Sequence, residues 1–170
     1  MRWTKPRSVV ESLFAPSVAG RLRIHATGYG HSTWGRSWLT WDGEEIANLS
    51  DDDAYHRRGT NMLDEPCVIP PSARTQGRLV EPGEFSSKEF KKACDRFKDM
   101  GVGTALASGE PLLRALAAAH RKLGRSRVAE LSVRGQHPLV RRLAQLRLAA
   151  ESRADFTLQR SGARGARPGR

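Results

Sequence analysis

At 170 residues, 38% hydrophobic and 28% charged, the chain is long enough to bury about two-thirds of its unfolded surface, and its composition is not that of a disordered polymer. No apolar run approaches the ~18 residues of a membrane span, and the charged opening MRWTKPRSVV lacks the apolar stretch of a secretory signal. The net charge of +11 lies entirely in residues 114–170, where 14 Lys/Arg stand against 3 acids, an asymmetry that points to a polyanionic partner.

The first predicted element is a helix in WTKPRSVVESLFAP. Thr4 is its expected N-cap, Pro6 sits in its first turn, and Val9, Val10, Leu13 and Phe14 follow helical spacing. RLRIHATGY then alternates, with Leu22, Ile24 and Ala26 on one face of a strand. In SWLTWDGEEIANLS the dipeptide Asp42-Gly43 is what a type I′ hairpin turn requires. A two-residue loop there sets Trp41 opposite Glu44, Leu39 opposite Ile46 and Trp38 opposite Ala47. Trp38, Ala47 and Leu49 then share one face, and Leu39, Trp41 and Ile46 the other. Residues 50–84, rich in turn formers and prolines, read as a long irregular connection with a short strand near residues 67–69.

Order returns in FSSKEFKKACDRFKDMG. Ser86 and Glu89 form a capping box, Phe85 and Phe90 stand at the staple positions, and Gly101 supplies the stop. Two similar strings follow, PLLRALA and PLVRRLA, 27 residues apart. Each reads as a helix opened by proline, the first capped by Ser108 and stopped at Gly124, the second opening at Pro138. Leu112, Leu116, Ala119 and Leu123 form one apolar face, and Leu139, Leu143, Leu146 and Ala150 the other. Between them residues 126–134 predict a short helix ending at Gly135. The fold class is therefore α+β. It comprises an N-terminal helix, a small antiparallel sheet around the DG hairpin and a helical C-terminal half. These make one domain over 1–151 (helix, sheet and loop to 84, helices from 85), followed by a disordered Arg/Gly tail over 152–170.

The strings RWTK, GRLRIHATGY, GRSWLTWDGEEIANLS, EPLLRALAAAHRKLGRSR and HPLVRRLAQLRLAAE together resemble a family of small bacterial proteins with no established activity. The resemblance covers most of residues 2–151. It implies a bacterial cytoplasmic protein and transfers no catalytic residue. The isolated cysteines Cys67 and Cys94, without C-x-x-C spacing, agree with a reduced cytoplasmic setting.

Three functional readings compete. The leading one is a non-enzymatic accessory protein that binds nucleic acid, largely without sequence preference, through Arg121, Lys122, Arg125, Arg127, Arg141, Arg142 and Arg147. The second is a protein-binding module that uses the helical pair or the acidic stretch 51–53. The third is a metal-dependent nuclease with His25, His31, Asp51, Asp53 and His56 as ligands. The last lacks any regular ligand spacing, so no metal and no cofactor is expected. The glycines of GYGHSTWG belong to a strand-to-strand turn, since no helix follows to bind phosphate. The tryptophans Trp34, Trp38 and Trp41 are expected to pack the core rather than stack bases, because residues 37–56 contain six acids and no Lys or Arg.

Overall fold

The computed structural model describes residues 3–28, 34–59 and 79–163, with side chains described through residue 154. Helix α1 (Thr4–Ser12) leads into strands β1 (Leu22–Gly28), β2 (Gly35–Trp41) and β3 (Glu44–Ser50). Helices α2 (Asp51–Arg57), α3 (Ser87–Lys98), α4 (Val102–Ala107), α5 (Pro111–Ala119), α6 (Arg125–Leu131) and α7 (Pro138–Ala163) complete the described chain. The architecture is α+β, as the alternation of patterns implies. One core cluster runs from Val10 through the sheet, α3 and α5 to Ala150.

The strands pair antiparallel in the order β1-β2-β3. Asp42 and Gly43 both adopt positive φ, +50° and +89°, the geometry of a type I′ turn. The register departs from expectation after two pairs. Trp41 faces Glu44 and Thr40 faces Glu45, but a bulge then sets Leu39 opposite Ala47, Trp38 opposite Asn48 and Ser37 opposite Leu49. One extra residue in β3 reverses the facing of everything beyond it. Leu39, Ala47 and Leu49 thus enter the core, and Trp38 does not. Ser37 points inward with Leu39, two residues along the same strand, and its hydroxyl is bonded to that of Ser87, 2.8 Å away on α3.

Helix boundaries bring further corrections. Thr4 is the first helical residue of α1, not its cap; Trp3 holds that position without a side-chain bond. Residues 51–57 are helical rather than irregular, because Ser50 accepts a bond from the Asp53 amide and three aspartates favour the positive end of the helix. The predicted strand at 67–69 lies outside the described residues. The capping box of α3 is present in full, with both the Ser86 and the Glu89 contacts.

The short helix α4 follows Gly101 where no helix was expected. Ser108 donates to Ala105 O at its end, so Glu110 rather than Ser108 caps α5, and Pro111 opens it. Helix α5 stops at Ala119, five residues before Gly124, and Gly124 instead caps α6. Finally, α7 runs on to Ala163, beyond the end expected at residue 152. No proline and no glycine interrupts the sequence between Pro138 and Gly162, so helical propensity carries the backbone past its apolar stripe.

Candidate nucleic-acid interface

The four described candidate metal ligands do not assemble. His25 lies on the outer face of β1, its Nε2 2.9 Å from Thr40 Oγ1 and its ring stacked 5.1 Å from Trp38. Burial, and then the charge of Arg7, holds its pKa below the ordinary histidine value. Asp51 is 1% exposed and accepts the amides of Gly35 at 2.7 Å and Lys88 at 3.0 Å, which ties the start of β2 to the first turn of α3. A side chain on Gly35 would meet Thr27 O at 2.1 Å, so this junction also requires glycine. Asp53 accepts Asn48 Nδ2 at 3.1 Å, and His56 pairs with Asp52 at 3.5 Å within α2. His31 lies outside the described residues. Among the described residues, no group of three His, Cys, Asp or Glu side chains could hold a metal ion.

The tryptophans divide. Trp41 is in the core, as expected, but Trp34 and Trp38 are only half-buried. The Arg36 guanidinium lies over the Trp38 ring at 4.7 Å and is itself held by Glu45 and Asn48. Trp34 packs 4.0 Å from Tyr55, with Lys88 over its ring at 4.7 Å. Both indoles are thus committed to intramolecular partners rather than offered as stacking platforms.

The basic residues are displayed by a turn and two helices. Helix α6 packs antiparallel against α7: Gln145 donates to Ser132 O at 3.1 Å near one end, and Arg125 donates to Ser152 Oγ at 3.0 Å near the other. The turn from α5 to α6 leaves few backbone groups idle. Ala119 O accepts Ala15 N, the Arg121 amide donates to Leu13 O, and the Lys122 amide donates to His120 Nδ1. The carbonyls of Ala118, His120 and Leu123 all accept from Arg147, at 3.0, 2.8 and 2.6 Å. His120 sits edge-on to Phe97, and burial followed by the charges of Lys122, Arg121 and Arg147 lowers its pKa.

This removes Arg147 from the expected contact set. It is 4% exposed, with its Nε donating to Glu151 at 2.7 Å, and it holds the turn from beneath. Its position is dictated by the stripe Leu139, Leu143, Arg147, Ala150, in which a charged residue falls on the buried face. An acid four residues later was the sequence signal for that role.

Of the other expected contacts, Arg121, Lys122, Arg125, Arg127 and Arg142 are exposed and Arg141 is half-buried. Arg127 pairs with Glu130 at 2.9 Å. Two groups result: Arg121, Lys122 and Arg125 around the opening of α6, and Arg141 and Arg142 in the first turns of α7. The second group gains Arg134, an exposed residue on the α6–α7 connection that the sequence reading passed over. Its signal was its place one residue before Gly135, whose φ of +93° marks a surface turn. Five of the seven expected contacts therefore form two poles rather than one continuous patch. Ten residues of α7 separate Arg142 from Ser152, or about 15 Å along the axis.

Ion pairing divides the cations of both parts of the chain, and in the front part Lys5, Arg7, Arg57, Lys88, Lys91 and Lys92 have none among the described residues. In the front part Arg21, Arg23, Arg36, Arg58, Arg96 and Lys98 each face a carboxylate. Among the described residues Arg121, Lys122, Arg134 and Arg142 form no ion pair. The model of the SF0329 protein family matches residues 2–148. Comparison with the curated proteins and with the solved structures found no match to either.

Proposed function

We propose that this chain, which belongs to the SF0329 protein family, is a bacterial cytoplasmic accessory protein that binds nucleic acid through phosphate contacts made by its two cationic poles. The observation that carries the reading is that exposed Arg121, Lys122, Arg134 and Arg142 have no ion pair among the described residues, in a segment, 114–170, where 14 Lys/Arg stand against 3 acids. Guanidinium and ammonium groups left in this state gain most from an external polyanion, because phosphate binding releases condensed counterions. The turn that carries Arg121 and Lys122 is anchored at three carbonyls by Arg147 and at Leu13, so those side chains project from a fixed base.

Such contacts position a ligand without reading its sequence. Four phosphate contacts give a slope of about −3.6 in log affinity against log salt, and so a loss on the order of 100-fold between 50 and 200 mM. Fluorescence anisotropy with labelled oligonucleotides measures this directly. The combined change of Arg121, Lys122, Arg134 and Arg142 to Ala is expected to abolish binding without lowering the melting temperature. Affinity indifferent to salt, or retained by the quadruple variant, refutes the reading.

A further inference from the structure

We infer that the polyanion these poles accept is a double helix, held through phosphates on both sides of a groove, and not a single strand. The inference rests on the nucleic-acid reading above and narrows it to one ligand geometry. Two observations carry it: the fixed separation of the poles and the absence of stacking groups between them.

The poles cannot slide relative to each other. Helix α6 is fastened to α7 near both its ends, through Ser132–Gln145 and Arg125–Ser152. The intervening surface of α6 is electrically balanced by the Arg127–Glu130 pair. The interface therefore presents charge, a neutral stretch, then charge again, over about 15 Å of rigid helix. A duplex holds its two phosphate rows apart across a major groove about 12 Å wide, so it meets both poles without being ordered first. A single strand must be straightened across the gap at an entropic cost.

Proteins that accept single strands offset that cost by stacking bases on aromatic rings, worth about 1–3 kcal/mol per base. Residues 120–154 contain no Phe, Tyr or Trp. The half-buried Trp38 and Trp34 lie on the sheet and beside α2, already engaged by Arg36, His25, Tyr55 and Lys88. A single strand laid over α6 and α7 between the poles would find phosphate contacts and no Phe, Tyr or Trp platform.

The test uses the full chain at 50 mM salt with a 10-base-pair DNA duplex, an RNA duplex of equal length, and 20-nucleotide single strands that carry about as many phosphates. At least tenfold tighter binding of a duplex than of either single strand is expected, and the tighter of the two duplexes identifies which helix form fits. Arg134→Ala, Arg141→Ala and Arg142→Ala together remove one pole, and this variant is expected to bind duplex and single strand alike. Single strands bound as tightly as duplexes by the unaltered chain overturn the inference. So does a duplex preference that survives the loss of one pole, since it then reflects charge density alone. Failure of every nucleic acid to bind overturns the parent reading instead, and the two failures are distinct.

Discussion

Replacing Arg147 by Met tests the mechanical core of the interface. The side chain is 4% exposed, and its guanidinium donates to three backbone carbonyls and to Glu151. Methionine fills much the same volume but donates nothing. Each buried carbonyl left without a donor costs about 1–3 kcal/mol, though these costs do not add fully where solvent can re-enter. Water has such a route here, because Arg121 and Lys122 beside the turn are exposed. The loss is therefore set by the removal of one partner from a buried ion pair, about 3–5 kcal/mol. Against a typical total of about 5–15 kcal/mol this is severe, and it corresponds to a melting temperature lower by about 6–20 °C. Urea unfolding followed by tryptophan fluorescence reads the free energy, and amide exchange at residues 118–123 reads the turn itself. Lysine is expected to recover less than half, since one ammonium cannot span three carbonyls and a carboxylate in fixed directions. A loss below 1 kcal/mol for Arg147→Met, or full recovery by Lys, would show that the turn does not depend on the fork.

Two further outcomes follow from buried polar groups elsewhere. Asp51→Asn keeps the shape but offers one acceptor where two amides, Gly35 and Lys88, now take separate oxygens, so a loss of about 1–3 kcal/mol is expected in urea unfolding; a variant as stable as the parent would mean that one of these bonds contributes nothing. His120 is held below its ordinary pKa, by burial first and then by its cationic neighbours, so the unfolded chain takes up the proton more readily than the folded one. Stability is then complete above about pH 6.5 and declines as the pH falls from there toward the folded-state value, with His25 acting in the same direction. Unfolding free energies at pH 7.5, 6.5 and 5.5 should fall in that order, and less steeply in a His25→Asn, His120→Asn double variant; stability that rises on acidification contradicts the assignment.

What could be read in the sequence was what depends on neighbours in the sequence. The α3 capping box needs only Ser86 and Glu89, and the hairpin turn only Asp42 and Gly43, so both were legible. The bulge between Leu39 and Thr40 was not, because what it turns to the core face, Ala47 and Leu49, is buried by elements distant in sequence, α3 among them. Helix α5 ends at Ala119 for a similar reason: Phe14 and His120 form a bridge there, and Ala119 O accepts Ala15 N. Its sequence alone would continue to Gly124. Helix α2 is a different case. Ser50 and Asp53 stand three apart before a helical stretch, a legible N-terminal signal that the turn formers and prolines of residues 50–84 mask. At the interface, the arginine excess was plain, but its division into structural and displayed residues needed the facing of each position on α7.

That division explains how one helix serves both ends. Arg142 and Arg147 are five residues apart, 140° around α7 by its 100° step, so one faces solvent where the other faces the core. Residues 114–170 hold three acids, and two of them, Glu130 and Glu151, are engaged by Arg127 and Arg147. Acids of the front part are engaged likewise, Asp42 by Arg21, Glu45 by Arg36, Glu89 by Arg58 and Glu110 by Arg96. The fold thus uses its carboxylates to fasten the sheet, α3 and the α5–α6 turn, and provides none in an ion pair with Arg121, Lys122, Arg134 or Arg142 among the described residues. A surface meant only for solubility gains net charge from this separation and needs no fixed placement of it. A surface that must accept phosphates gains more, because a carboxylate beside each arginine would compete for the same donors.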